Sequence, residues 1–244
     1  MLTVGLDLAS APPKTAVAAI RWEAGGARLE RLQLGVDDDT AVTALASADK
    51  AGVDVPFGWP AAFVELVVAH AAGALVASPE PWPAERRAVQ FRHTDLWVRE
   101  RTGRLPLSVS TDKIALPALR WTGLEARLVA AGVRCPRDGS GPVAEVYPAA
   151  ALSTWGLVSR GYKDDAAVRA ALVADLAAAC PVVELGEHRA LMAASDDAMD
   201  AVVCALVARA AALGLTHPAP SEVPAQVEGW IHLPLADSLA ALAG

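Results

Sequence analysis

The sequence predicts an α/β protein in which helices cover both faces of a mixed β-sheet. Three segments near the N-terminus, at 2–9, 14–22 and 28–34, are apolar or alternate between apolar and polar residues, and a Gly25-Gly26 turn separates the last two. Further along, short apolar segments alternate with long alanine-rich segments, which favour helices. We therefore expect an antiparallel three-stranded meander, followed by strands that join the sheet in parallel through crossover helices.

Glycine and proline delimit the elements after the meander. A helix at 41–50, which we expect Gly52 to end, leads into a short strand at 53–55, and a later strand at 141–149 is stopped by Pro148. The other predicted elements are helices at 61–75, 84–104 (one or two helices), 116–131, 164–179 and 196–213, a loop at 76–83, an extended piece at 181–185 and a proline-rich tail.

We expect the whole chain, 1–244, to form a single domain that carries a helical basic insert at 76–137. Within 84–137, 11 Lys and Arg residues stand against 5 Asp and Glu, whereas the rest of the chain has 10 against 23. The net charge of −7 argues mildly against nucleic-acid binding. A basic segment inside an acidic frame is nevertheless typical of a surface that contacts phosphates, and the alternative is a solvated helical face.

The cysteines and the hydropathy pattern argue against several classes of protein. Cys135, Cys180 and Cys204 lack C-x-x-C spacing, which disfavours a zinc site or a disulfide framework and is typical of a reducing compartment. The most apolar helix contains Asp200 and Arg209, so we expect it to be buried in the protein and not to span a membrane. With no signal segment evident at the N-terminus, we expect a cytoplasmic protein.

Five carboxylates fall where strand ends and one helix can face each other. Asp7 lies at the end of the first strand and Asp54 on the strand after the first helix, and these strands are neighbours in a fold of this order. Glu145 ends a later strand, and Asp197 and Asp200 share one face of the last long helix. Structural alternatives stay open, in which Asp7 faces a turn, Asp54 accepts from the following turn, Glu145 pairs with an arginine and Asp197 caps its helix.

Carboxylates that converge repel one another, and a divalent cation relieves that repulsion. Oxygen ligands suit Mg²⁺ or Mn²⁺ better than zinc, and two such ions about 4 Å apart are the usual device for phosphodiester hydrolysis. We predict metal ligands at Asp7, Asp54, Asp197 and Asp200, catalytic carboxylates at Asp7, Asp54, Glu145 and Asp200, and phosphate contacts at Arg86, Arg87, Arg92 and Arg99.

Five motifs occur in a fixed order: VGLDLAS, VDVPFGWP, RHTD, EVYPAA and DDAMDAVVCALVA. This order resembles a family of predicted RNase H-like nucleases, catalogued as domain of unknown function 429, over about residues 3–213. The first and last motifs are also similar to resolvases of the RNase H superfold. The resemblance implies an RNase H-like fold and a metal-dependent nuclease site, in which Asp7, Asp54 and Asp200 match the metal ligands.

The leading hypothesis is therefore a metal-dependent nuclease that uses Mg²⁺ or Mn²⁺ and has nucleic acid as its partner. One alternative is a non-catalytic binding or scaffold protein on the same fold. Another is an actin-like nucleotide-dependent phosphotransferase, which shares the Gly-x-Asp strand. That class also needs glycine-rich phosphate loops, and the segment ASAPPKTA after the first strand contains no glycine.

Overall fold

A six-stranded mixed sheet forms the centre of the part of the chain that the computed structural model describes, residues 1–76 and 81–243. Its strands, in the spatial order β5-β4-β1-β2-β3-β6, are β1 (Leu2–Asp7), β2 (Ala16–Glu23), β3 (Gly26–Leu34), β4 (Lys50–Asp54), β5 (Val143–Glu145) and β6 (Val183–Glu184). The first three strands are antiparallel, and β4, β5 and β6 each run parallel to a neighbour. The predicted mixed sheet is confirmed, in an order consistent with an RNase H-like arrangement.

Helices cover both faces of this sheet. The helices of the described residues are α1 (Asp38–Ser47), α2 (Ala61–Ala71), α3 (Trp82–Gln90), α4 (His93–Thr102), α5 (Ala115–Ala130), α6 (Pro148–Thr154), α7 (Ala166–Ala179), α8 (Arg189–Ala194), α9 (Asp196–Ala212) and α10 (Ala225–Glu228). Helices α1 and α5 pack on one face, where Leu6 and Val53 meet Leu45 and Trp121 in one apolar cluster. Helix α9 packs on the other face and is buried along nearly its whole length.

Two glycines set how closely α9 approaches the sheet. A Cβ atom on Gly5 would collide with the carbonyl oxygen of Ala201, and one on Gly52 would collide with that of Cys204. Both glycines lie directly opposite each other on β1 and β4. The predicted role of Gly52 as the end of a helix is therefore wrong. It lies inside a strand, where the absence of a side chain lets a helix backbone touch the sheet.

Several predicted boundaries shift in the structure. Helix α1 ends at Ser47, before the predicted end at residue 50. Lys50 instead belongs to β4, and its ammonium donates to the carbonyl oxygen of Gly139 at 2.7 Å. The strand predicted at 141–149 is shorter in the structure and ends at Glu145, and Pro148 begins α6, which the sequence analysis missed, since proline suits the first turn of a helix.

The predicted basic insert at 76–137 contains α3, α4 and α5, whereas residues 77–80 of it lie outside the described residues. Among the described helices, none is both long enough and apolar enough to cross a membrane.

Candidate metal centre

The two parallel strands β1 and β4 bring Asp7 and Asp54 side by side. Each strand ends in the pattern Gly-x-Asp, and the pairing places Gly5 opposite Gly52 and Asp7 opposite Asp54. Since side chains alternate between the faces of a strand, both aspartates lie on the same face as the glycines, which is the face covered by α9. Two carboxylates therefore meet at the carboxyl ends of neighbouring strands.

Helix α9 adds the third carboxylate. Ser195 caps this helix by accepting from the backbone N–H of Ala198 at 3.2 Å, and Asp200 follows one turn later, fully buried against the sheet. One carboxylate oxygen from each of Asp7, Asp54 and Asp200 lies within 4.8 Å of the others. We call these three residues the acidic triad. The structure brings them together as the sequence predicts, while their role as metal ligands stays a prediction.

The carboxylates of the triad hold their protons more tightly than ordinary aspartates do. Burial and the nearby charges of Asp200 and Asp54 raise the pKa of Asp7 well above its usual value. Burial, with Asp200 and Glu145 as neighbours, raises the pKa of Asp54 to about 7, although Lys163 opposes the change. Burial also raises the pKa of Asp200. Burial is the largest cause of all three shifts and the neighbouring carboxylates add to it, so a bound cation would stabilise the ionised site.

Two residues that the sequence analysis missed contact the triad from the loop between α6 and α7. The hydroxyl of Tyr162 donates to Oδ1 of Asp200 at 2.7 Å, and the ammonium of Lys163 lies 2.6 Å from Oδ2 of the same carboxylate. Among the described residues, the side chains of Asp7 and Asp54 have no hydrogen-bond partner. Two of the three carboxylates thus have oxygens available for a ligand.

Asp197 lies on α9 three residues before Asp200 and lines the same cleft, outside the triad. The ammonium of Lys14 lies 3.8 Å from its carboxylate. Burial and the charges of Asp196 and Asp200 raise the pKa of Asp197. The predicted ligand role of Asp197 therefore has a weaker geometric basis than that of Asp200.

Glu145 belongs to a separate group of charges, which we call the Arg92 centre: Arg92, Asp95, Glu145 and Glu228. The guanidinium of Arg92 donates to Glu145 at 2.7 and 2.9 Å, to Asp95 at 2.8 and 3.2 Å, and to the backbone carbonyl of Glu228 at 3.0 Å. The second carboxylate oxygen of Glu145 also accepts from the backbone N–H of Phe57 at 2.9 Å. The alternative that Glu145 pairs with an arginine is the one observed.

Arg92 is therefore corrected from a phosphate contact to a structural residue. It is 1% exposed, and the contacts above occupy all five N–H groups of its guanidinium. Glu145 likewise has both oxygens engaged, so a direct catalytic role for it finds no support in the geometry.

The other predicted phosphate contacts lie away from the triad. Arg86 and Arg87 are exposed on α3 and Arg99 is exposed on α4. Arg87 and Arg99 border a separate depression of about 510 Å³ beside Trp97. Their contact with nucleic acid stays a prediction, on a surface that does not include the carboxylates.

The triad opens into a cleft of about 850 Å³ that carries its own set of cations and apolar side chains. Arg104 and Ser159 face each other across this cleft and are joined by a hydrogen bond of 2.5 Å. The half-exposed side chains of Leu107 and Leu116 form part of its rim. The cations that line it are Arg92, Arg104, Lys113, Arg160 and Lys163.

Comparison with known proteins gives one match. The model of a family described as "Protein of unknown function (DUF429)" matches residues 5–225, which include the triad and all of the Arg92 centre except Glu228. No curated protein and no solved structure is significantly similar to the chain.

Proposed function

The chain belongs to the DUF429 family, and since that description assigns no activity, we propose from the site itself that the protein is a metal-dependent nuclease. One observation carries the proposal: three carboxylate oxygens, from two strand ends and a buried helix, lie within 4.8 Å of one another. Such an arrangement is what hydrolysis of a phosphodiester bond by a two-metal carboxylate site requires.

The donor chemistry of the triad fits Mg²⁺ or Mn²⁺. All three groups are carboxylates, which these hard cations prefer, and neither cysteine nor histidine belongs to the cluster. Bound ions would polarise a phosphate oxygen and activate water. Asp7 and Asp54 would hold them on rigid strand ends, and Tyr162 fixes the orientation of the Asp200 carboxylate through its hydroxyl.

The cleft supplies groups that suit an anionic chain. Arg104, Lys113 and Arg160 line it around the triad and offer positive charge to phosphates on either side of the cleaved bond. The apolar rim at Leu107 and Leu116 offers contact area for bases. These features favour a nucleic acid over a small phosphate ester. The free thiols Cys135, Cys180 and Cys204 agree with a cytoplasmic setting, which we include in the proposal.

The test is cleavage of end-labelled single-stranded, duplex and branched DNA and RNA with Mg²⁺ or Mn²⁺. We expect cleavage of at least one substrate that stops when EDTA is added. The cleavage rate of the Asp54→Asn variant should fall by more than about a hundredfold. Mutating a residue that only hydrogen-bonds to a metal ligand already lowers metal affinity or activity by roughly 10–100-fold. The matched control is Asp175→Asn, because Asp175 is exposed on α7 and lies outside the cleft.

Equal rates for the parent and Asp54→Asn would assign the cleavage to another site or another protein in the preparation. Absence of cleavage, together with absence of Mn²⁺ binding, would leave the non-catalytic scaffold as the better hypothesis.

A further inference from the structure

Lys163 forms an ion pair with one member of the acidic triad and lies near the other two. Its ammonium lies 2.6 Å from Oδ2 of Asp200. Its positive charge also opposes the rise in pKa of both Asp7 and Asp54, so its field reaches all three carboxylates. One ammonium against three carboxylates offsets part of the charge of the site and leaves an excess.

The position of this ammonium conflicts with full use of Asp200 as a metal ligand. Tyr162 already donates to Oδ1 of Asp200 at 2.7 Å, and Lys163 faces the remaining oxygen. A divalent ion that shares this carboxylate with Asp7 and Asp54 would lie a few ångströms from the ammonium. Two positive charges that close repel strongly where little water separates them.

The loop that carries Lys163 is anchored by its backbone, whereas the side chain is not enclosed. The buried guanidinium of Arg169 donates to the carbonyl oxygen of Tyr162 at 2.6 Å and to that of Ala193 at 2.9 Å, just before α9 begins. The side chain of Lys163 is 48% exposed. Its ammonium can therefore leave Asp200 by side-chain rotation alone, while the loop keeps its place.

We infer that Lys163 is a built-in counter-cation of the triad, which a divalent ion must displace from Asp200 in order to bind. This inference rests on the proposed function, because it concerns the same metal site. With Lys163 in place, the empty site is stabilised and its affinity for metal is lowered. Once displaced, the ammonium faces the cleft that Arg104 and Arg160 also line, where a phosphate of the substrate would meet it.

The test measures Mn²⁺ binding by calorimetry for the parent and for Lys163→Met, which keeps most of the length of the side chain and removes its charge. We expect Lys163→Met to bind Mn²⁺ about tenfold more tightly or better, because the repulsion is gone. Lys163→Arg keeps the charge and should bind close to the parent. In EDTA, Lys163→Met should melt at a lower temperature than the parent, since the triad has lost its counter-cation.

Lys14→Met is the matched control. Lys14 also lies beside a carboxylate of α9, at 3.8 Å from Asp197, but its side chain is 74% exposed and it does not reach the triad. Its loss should leave the affinity for Mn²⁺ unchanged within about a factor of two.

The outcomes separate the inference from the function on which it rests. If the parent binds Mn²⁺ and Lys163→Met binds it equally or more weakly, the counter-cation role is overturned while the metal site stands. If neither protein binds Mn²⁺, the metal site and this inference fail together. General damage from the substitution cannot imitate the expected result, because damage weakens binding.

Discussion

The Arg92 centre and the acidic triad are both built from carboxylates that meet at the sheet, and they differ in how those carboxylates are satisfied. In the Arg92 centre, both oxygens of Asp95 and both of Glu145 accept hydrogen bonds, from Arg92 and from backbone N–H groups. In the triad, only Asp200 has partners among the described residues, and Asp7 and Asp54 have none. Asp95, Glu145 and Asp200 are buried, whereas Asp7 and Asp54 are half-buried and lack protein donors among the described residues.

This difference indicates which group holds the structure together and which is available for a ligand. A buried carboxylate with every oxygen occupied ties helices and strands together, as Glu145 ties β5 to Arg92 before α4. Carboxylates that crowd together in a partly buried site without protein donors repel one another until a proton or a cation binds. The triad is therefore the group whose arrangement is better explained by a ligand than by folding.

The largest loss of unfolding free energy should come from removing the guanidinium of the Arg92 centre. Arg92→Met leaves Asp95 and Glu145 buried without their main donor, and breaking a buried ion pair in this way costs about 3–5 kcal/mol of unfolding free energy. Denaturant unfolding of the purified variant measures the loss. The control is Arg101→Met, because Arg101 is exposed and lies over the ring of Trp97 at 3.7 Å, and such a contact is worth about 1 kcal/mol or less. A loss for Arg92→Met no larger than that of Arg101→Met would contradict the comparison.

Sequence reasoning found the triad but misjudged the Arg92 centre, because the order of elements brings the triad together whereas side-chain packing makes the contacts of Arg92. Asp7 and Asp54 end two strands whose pairing follows from the order of elements, so their meeting could be predicted. The contacts of Arg92 with Glu145 and with Glu228 join residues 53 and 136 positions apart, and both depend on packing. The basic composition around Arg92 therefore predicts a surface residue, although the same sequence also allows an arginine partner for Glu145.

The contact of Lys163 with the triad also depends on packing and could not be predicted, because a lysine in a loop gives no sequence signal of where its side chain lies. The repeated Gly-x-Asp pattern is a sequence signal for two equivalent strand ends. It occurs as Gly5-Leu6-Asp7 and again as Gly52-Val53-Asp54, at the same place on two parallel strands. If both glycines are sites where a helix approaches the sheet closely, Gly52 belongs to a strand. The same pattern then predicts that α9 packs against β1 and β4.

A second prediction tests whether that close approach builds the triad. Gly52→Ala places a Cβ atom against the carbonyl of Cys204, which is backbone and cannot rotate away, so α9 must shift. We expect a loss of about 3 kcal/mol in unfolding free energy, at the upper end of overpacking effects. Weaker Mn²⁺ binding should accompany it, because Asp200 moves with the helix.

Gly26→Ala is the control, since its Cβ would approach only the carbonyl of Val182, at 3.9 Å, and alanine should be neutral or slightly stabilising there. Unchanged Mn²⁺ affinity in Gly52→Ala would show that the spacing of α9 does not set the triad.

The smallest expected change in unfolding free energy is the one most specific to the triad, that of Asp54→Asn. At high pH without metal it should be a gain in stability, whereas Arg92→Met should cause a loss. In the folded protein the pKa of Asp54 is raised from 3.8 to about 7, so between those pH values the folded state holds a proton that the unfolded state has released. Its contribution to stability is complete below about pH 4 and is lost as the pH rises through 7. In EDTA at pH 8, Asp54→Asn should therefore be more stable than the parent, by roughly 1–3 kcal/mol.

The difference should shrink toward pH 5 and reverse when Mn²⁺ is added, because only the parent keeps all three carboxylates. Melting curves of both proteins across this pH range, with and without Mn²⁺, measure it. An Asp54→Asn variant that is less stable than the parent at pH 8 in EDTA would mean that the folded protein already satisfies Asp54, and the contrast with the Arg92 centre would disappear.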